Sequence, residues 1–130
     1  MQPIVPVINL FRNATDFKIF SAGQIIFKEG QPGDVMYVVI EGTVDLLVRD
    51  ELLNKIGPGE ILGEMALIDT QPRSATAIAT TDCKLVPLDQ KRFTFLVQET
   101  PFFAVDVMRI MAARLRRLST IAYRHDSLQA

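Results

Sequence analysis

The sequence has one cysteine, one histidine and no tryptophan, and these scarcities exclude several classes of protein. A single cysteine, Cys83, cannot form a disulfide within the chain, so a small domain held together by disulfides is excluded. No basic leader followed by an apolar stretch opens the chain, and we therefore expect a cytoplasmic protein. Cys83 itself is predicted to be a small buried hydrophobic residue.

The one histidine, His125, lies in a polar stretch with Asp126, Ser127 and Gln129. Metal-dependent oxygenases and phosphodiesterases need several histidine and carboxylate ligands, and a nucleophilic serine or cysteine needs a base beside it. A chain with one histidine in such a place supplies neither. We therefore expect no enzyme activity, no metal and no cofactor.

Neither sign of charge dominates, and no long apolar run is present. Fourteen basic against fifteen acidic residues give a formal net charge of −1, so the molecule as a whole does not attract nucleic acid or an anionic membrane. Any anion must then be held by a local site. The apolar stretch Val35 to Ile40 is far shorter than the roughly 18 residues that a membrane-spanning helix needs. We expect neither direct nucleic-acid binding nor a membrane span.

What is present is the length and composition of one globular domain. The chain has 130 residues, 48% hydrophobic and 22% charged, and no low-complexity linker divides it. We expect a single domain over 1–130. It would comprise an N-terminal helical segment over 1–16, with a brief helix within Val7 to Ala14, a β-barrel over 17–88 and C-terminal helices over 89–124.

The middle of the chain alternates short apolar runs with glycine-bearing turns. Spacing of about 8 to 12 residues between such turns is typical of an all-β sandwich or barrel. Val44, Leu46 and Val48 alternate with Asp45 and Arg49 as a half-buried strand requires, although Leu47 interrupts the polar side. The predicted strands are Phe17 to Phe20, Gln24 to Lys28, Val35 to Glu41, Thr43 to Arg49, Glu51 to Ile56, Thr76 to Thr80 and Lys84 to Leu88.

Two helices are predicted to follow the barrel. Asp89 can act as the N-cap of a helix through Gln98, which Pro101 ends, and a longer helix comes next. An apolar stripe at steps of three and four residues predicts the face that packs on the barrel; its members are Met108, Met111, Leu115, Leu118 and Ala122. The same steps fit a heptad, so a helix seam between two subunits is the alternative.

The segment from Gly63 to Thr76 carries the chemistry. Glu64 to Leu67 can form one helical turn, and its first amides have no internal carbonyl partner and can donate hydrogen bonds to an anion. A turn over Asp69 to Pro72 then returns the chain and delivers Arg73 towards those amides. A guanidinium fork matches two phosphate oxygens, and an ionised Glu64 can accept hydrogen bonds from a sugar hydroxyl. The pattern indicates a binding site for a nucleotide.

These residues resemble the phosphate-binding cassette of cyclic nucleotide-binding domains. Pro32-Gly33-Asp34 with Tyr37, Val38, Ile40 and Gly42, together with Ala22-Gly23-Gln24 and Phe27 to Gly30, resemble the strand pair, turn and opening strands of that family. The resemblance covers about residues 17 to 120. It implies a mainly β protein with flanking helices: an eight-stranded jelly-roll barrel with a short N-terminal helix, a short cassette helix and C-terminal helices.

The resemblance also implies the roles of individual residues. Arg73 and the cassette amides would take the cyclic phosphate, Glu64 the ribose hydroxyl, and Ser74 the phosphate or base. The ligand-binding candidates are Gly63, Glu64, Met65, Ala66, Arg73, Ser74 and Ala75. A lid over the base would come from the last helix, with Leu118, Ser119 and Tyr123 as candidates.

Each role has a simpler alternative. Arg73 could pair with Asp69 on the surface, Glu64 could only complement the short helix, and Ser74 could bond local backbone. Arg109, Arg114, Arg116, Arg117 and Arg124 are expected to form a solvated helix face rather than a nucleic-acid patch.

The predicted function is that of a cAMP receptor that signals by rearranging its C-terminal helix. The alternatives are a domain that binds cGMP or another nucleotide, and a protein-interaction module of the same fold that binds none. Serine at position 74 favours cAMP over cGMP, because relatives that prefer cGMP often carry threonine there. The expected macromolecular partner is a second copy through the C-terminal helix or an unidentified effector protein.

Overall fold

A computed structural model describes residues 10–11 and 13–129, with the backbone alone for residues 118 and 121–129. Eight antiparallel strands form two four-stranded sheets, which confirms the eight-stranded jelly roll that the resemblance implied. One sheet runs β1 (Lys18–Phe20), β8 (Cys83–Asp89), β3 (Val35–Glu41) and β6 (Ile61–Leu62). The other runs β2 (Ile25–Phe27), β7 (Thr76–Ala79), β4 (Val44–Val48) and β5 (Glu51–Ile56).

The seven strands predicted from the pattern all occur, and no end differs from its prediction by more than one residue. Strand β6 was missed, because its two residues, Ile61 and Leu62, are too few to show an alternation between glycine-bearing turns. Both are fully buried, and β6 pairs with β3 through Tyr37 and Val38. It is this pairing that places Gly63 and Glu64 at the edge of the barrel.

Strand β3 lies between two cores, which explains its nearly unbroken apolar sequence. Successive side chains of a strand point to opposite faces of the sheet. Tyr37 and Val39 therefore join the core inside the barrel, whereas Met36 and Val38 join a second core beneath the helices. The second core contains Phe11 and Phe103, whose rings meet edge to face at 6.3 Å. It fixes the helices on the barrel.

Three helices are described beyond the start of the barrel: α1 (Met65–Ile68), α2 (Gln90–Glu99) and α3 (Pro101–Gln129). The predicted cap of α2 is confirmed, since the Asp89 carboxylate accepts a hydrogen bond from the Arg92 amide at 2.8 Å. Pro101 opens α3, a position where its missing N–H would have had no helical partner. Of the predicted helix within Val7 to Ala14, Leu10 and Phe11 are helical, and residues 7–9 and 12 lie outside the described residues.

The apolar stripe predicted for α3 is not the face that packs on the barrel. Met108 and Leu115 are 59% and 63% exposed, and Met111 is the one described member that packs against the core. The side chains of Leu118 and Ala122 lie outside the described residues. The buried and half-buried positions of α3 include Phe103, Asp106, Val107, Ile110, Met111 and Arg114. Two charged residues, Asp106 and Arg114, are part of this face, so the spacing of apolar residues alone does not predict it.

Candidate functional site

A cavity of about 360 Å³ lies between β2, β4, α1 and α3. All seven ligand-binding residues predicted from the sequence line it: Gly63, Glu64, Met65, Ala66, Arg73, Ser74 and Ala75. Six further lining residues were not predicted: Phe27, Leu46, Leu53, Met111, Arg114 and Leu115. The additions are almost all apolar. The site is therefore a largely hydrophobic recess with a few charged groups.

Arg73 is held at the base of this cavity and is only 7% exposed. Its backbone pairs with the loop before β3, since the Arg73 amide donates to the Gln31 carbonyl and its own carbonyl accepts from the Gly30 amide, both at 2.8 Å. Its Nη1 donates to the Gly63 carbonyl at 3.1 Å, and its Cζ lies 4.2 Å from the centre of the Phe27 ring. Main chain and side chain are thus both fixed.

The charge of Arg73 is not neutralised at close range by any described residue. It forms no ion pair with Asp69, the surface partner considered above, and its buried Nε has no hydrogen-bond partner among the described residues. Burial lowers the pKa of Arg73, while the charges of Tyr37, Asp34 and Glu64 act in the opposite direction. A buried polar group without a partner is rare and indicates a site that a bound molecule can complete. The chemistry favours an anion.

Glu64 lies just before α1, at the point where Gly63 turns the chain with a φ of 77°. The carboxylate is buried, and it makes no capping hydrogen bond to α1. The Ala66 and Leu67 amides donate to the Gly63 and Glu64 carbonyls. No acceptor is found among the described residues for the amides of Glu64 and Met65. Those two are the donors that α1 can offer a ligand.

Arg114 of α3 reaches into the cavity and pairs with Glu64. The distance from Nη1 to the carboxylate oxygen is 2.6 Å, and the two side chains are 16% and 7% exposed. Arg114 also donates through Nη2 to the carbonyl of Ile61 in β6. The expectation that Arg114 belongs to a solvated face was wrong. Its spacing from Phe103 and Val107, eleven and seven residues, is the signal that places it on the buried face.

The remaining candidates divide between the cavity and the solvent. Ser74 is exposed at the mouth and lines the cavity. Ser119 is exposed and is not among the lining residues. The side chains of the other two lid candidates, Leu118 and Tyr123, lie outside the described residues. Among the described side chains of α3, Met111, Arg114 and Leu115 line the site.

The arrangement suits a ligand with three chemically different parts. Arg73 can hold an anionic group, Glu64 can accept hydrogen bonds from hydroxyls, and Leu46, Leu53 and Met111 offer an apolar surface to a flat ring. Within the described part of the chain, no three His, Cys, Asp or Glu side chains come together to hold a metal ion. No described helix combines the length and apolar content needed to cross a membrane.

Comparison with known proteins agrees with this geometry. A family model described as the cyclic nucleotide-binding domain matches residues 17–100. The cAMP-dependent protein kinase regulatory subunit of Eremothecium gossypii is 44% identical over 81 residues, which cover 62% of this chain and 18% of that protein. A CRP-like cAMP-activated global transcriptional regulator of Mycobacterium tuberculosis is 32% identical over 103 residues, covering 75% and 46%.

The fold agrees as well. The crystal structure of the Thermus thermophilus catabolite activator protein superimposes with a TM-score of 0.76 at 27% identity, over 96% of this chain and 62% of that one. The chain spans less than half the length of the two relatives compared by sequence. It therefore corresponds to one part of each of them.

Proposed function

The chain belongs to the cyclic nucleotide-binding domain family, and from that premise we propose that it is a receptor for cAMP that signals by rearranging α3. The observation that carries the proposal is the position of Arg73. This buried cation, with an unpartnered Nε among the described residues, faces a recess that also contains a buried carboxylate and an apolar surface. The names of the two relatives above both refer to cAMP, which supports this choice of ligand.

Arg73 would bind the cyclic phosphate, together with the amides of Glu64 and Met65. A guanidinium offers two parallel donors to phosphate oxygens, and in a recess sheltered from water this charge-assisted contact is strong. Glu64 would accept the ribose hydroxyl, and Ser74 at the mouth would contact the phosphate or base. The base would lie against Leu46, Leu53 and Met111.

The pair between Glu64 and Arg114 supports the proposed signal. Glu64 belongs to the barrel edge and Arg114 to α3, so the carboxylate that would receive the ribose also holds the C-terminal helix. A hydroxyl that bonds to Glu64 changes the geometry of this pair. Ligand binding can then favour one position of α3 over another by the difference in its affinity for the two.

The test of binding is a calorimetric titration with cAMP and, separately, cGMP. We expect saturable binding of cAMP that is tighter than binding of cGMP. Arg73→Ala should weaken cAMP binding by roughly 2 to 5 kcal/mol, because the phosphate then enters the recess without its cation. Arg116→Ala is the matched control, since Arg116 is an exposed arginine of α3, and it should bind as the unmodified protein does.

The outcomes separate the alternatives. Tighter binding of cGMP than of cAMP would show that the domain prefers guanine. If neither nucleotide gives heat or a melting shift, the alternative of a protein-interaction module would be supported. An unchanged affinity in Arg73→Ala would place the phosphate elsewhere.

The test of signalling is hydrogen exchange of the α3 amides with and without cAMP. We expect cAMP to change exchange along α3 in the unmodified protein and to change it much less in Arg114→Met, where Glu64 no longer holds the helix. Equal changes in both proteins would show that the signal does not pass through this pair.

The partner of α3 stays a prediction. Met108 and Leu115 of the predicted stripe are exposed and lie seven residues apart along the helix, which fits a seam with a second copy. Light scattering with and without cAMP measures the mass directly. A dimer mass that falls to the monomer in Met108→Lys would support the seam, whereas a monomer throughout would leave an effector protein as the partner.

A further inference from the structure

The guanidinium of Arg73 lies in a narrow slot that restrains it on three sides. The Phe27 ring lies 4.2 Å from Cζ, and the Gly63 carbonyl accepts from Nη1 at 3.1 Å. The third side is the backbone of Gly33, in the loop before β3. A Cβ atom built on Gly33 would lie 2.3 Å from Nε, 2.4 Å from Cζ and 2.8 Å from Nη2. No side chain larger than hydrogen fits there while Arg73 keeps its position.

The glycine at position 33 is required by this contact and not by its own backbone. Gly33 does not adopt a positive φ, so alanine can take the same conformation. Gly23 and Gly30 are the opposite case, because both have a φ of +87° and an added Cβ would meet nothing within 4 Å. Gly63 combines the two, with a φ of +77° and a Cβ position 2.5 Å from Nη1, and is therefore a less clean test. The sequence alone does not distinguish a glycine needed for its backbone conformation from one needed for the space beside it.

The loop that carries Gly33 is tied to Arg73 through the main chain. The two hydrogen bonds between Arg73 and residues 30 and 31 join the loop to the segment before β7. Burial lowers the pKa of Arg73, and the charge of Asp34, the residue next to Gly33, opposes this shift. Loop and arginine therefore form one unit, and a shift of either moves the other.

We propose that Gly33 is a positioning residue of the anion site: its missing side chain leaves the space in which the flat guanidinium of Arg73 is held against Phe27. The identity of the anion as a cyclic phosphate rests on the function proposed above; the restraint on Arg73 does not. An arginine fixed in advance loses less conformational freedom when it binds, so the slot raises affinity without touching the ligand.

The experiment is a cycle of Gly33→Ala, Arg73→Ala and the double variant, measured by thermal unfolding without ligand. The matched control is Gly57→Ala, because Gly57 also lacks a positive φ and its Cβ would meet nothing within 4 Å. Overpacking should lower the Tm of Gly33→Ala by roughly 5 °C, and this loss should disappear when Arg73 is also alanine. Titration with cAMP then measures the affinity of the site for its ligand. Gly33→Ala should bind cAMP roughly tenfold to a hundredfold more weakly than the unmodified protein, and the affinity of Gly57→Ala should be unchanged.

The two readouts separate the two ideas. If Gly33→Ala is destabilised to the same degree in both arginine backgrounds, or binds cAMP within about twofold of the unmodified protein, the inference is overturned. If the unmodified protein binds no cyclic nucleotide but the coupling in Tm is present, the proposed function fails and the positioning of Arg73 stands. Should Gly33→Ala fail to fold, folding of the double variant would support the inference, and failure of both would show that the loop itself needs glycine.

Discussion

Replacing Arg114 by methionine tests the link between the helix and the binding site, because it removes the cation opposite Glu64 and keeps most of the aliphatic stem. Glu64 is 5% exposed, so its carboxylate would be left almost without water or partner. Removing one partner of a fully buried pair costs about 3 to 5 kcal/mol, whereas an exposed pair contributes about 0 to 1 kcal/mol. Arg114 keeps 16% of its side-chain exposure, so water can reach Glu64 once the cation is gone. We therefore expect a loss of about 2 to 3 kcal/mol, or roughly 10 °C in Tm for a domain of this size.

The assay is urea unfolding followed by circular dichroism, with two further variants. Arg116→Met changes an exposed arginine of the same helix and should alter the free energy of unfolding by less than about 0.5 kcal/mol. Glu64→Gln in the Arg114→Met background should recover about half of the loss, because a neutral amide is less costly to bury than a carboxylate. A loss in Arg114→Met no larger than in Arg116→Met would refute the reasoning, since the pair would then behave as an exposed one.

Three other predictions concern groups outside the cavity. Burial raises the pKa of the Asp106 carboxyl above its ordinary value of 3.8, so the folded protein binds the carboxyl proton more tightly than the unfolded chain, and the free energy of unfolding falls as pH rises through the folded pKa. Asp106→Asn should therefore unfold at a higher urea concentration than the unmodified protein at neutral pH, and this difference should vanish below pH 3.8. Burial also raises the pKa of the Cys83 thiol, and we expect iodoacetamide to label it only after unfolding, so rapid labelling of the native protein would contradict the buried position. Phe103→Ala should lower the free energy of unfolding by about 3 to 5 kcal/mol, because the ring is 1% exposed and packs against Phe11 and Phe93; a loss under about 1 kcal/mol in the same urea assay would show that the second core does not hold α3.

The elements that sequence predicts well are those whose signal is local. The alternation along β4 and the apolar run of β3 are patterns of adjacent residues, and the Asp89 side chain caps α2 through a hydrogen bond to a residue three positions away. The candidate site is partly local too: Gly63 and Arg73 are ten residues apart, and one short helix and one turn bring Nη1 of Arg73 to 3.1 Å from the Gly63 carbonyl oxygen. Strand β6 escaped prediction because two residues carry no period.

The amino-acid sequence by itself determined the strands of an all-β sandwich or barrel, the capped helix and the spacing of Gly63, Glu64 and Arg73, because each depends on the propensities and spacing of neighbouring residues. The arrangement of the strands as a jelly roll was implied by the family resemblance. Only the tertiary structure decided that Arg114 meets Glu64 across 50 positions of sequence, that Gly33 forms one wall of the slot around Arg73, and that the stripe beginning at Met108 faces solvent. Periodicity shows that a helix has an apolar side. Which side docks depends on the shape and charge of the surface it meets, and here a buried carboxylate at the barrel edge draws a charged residue into the interface.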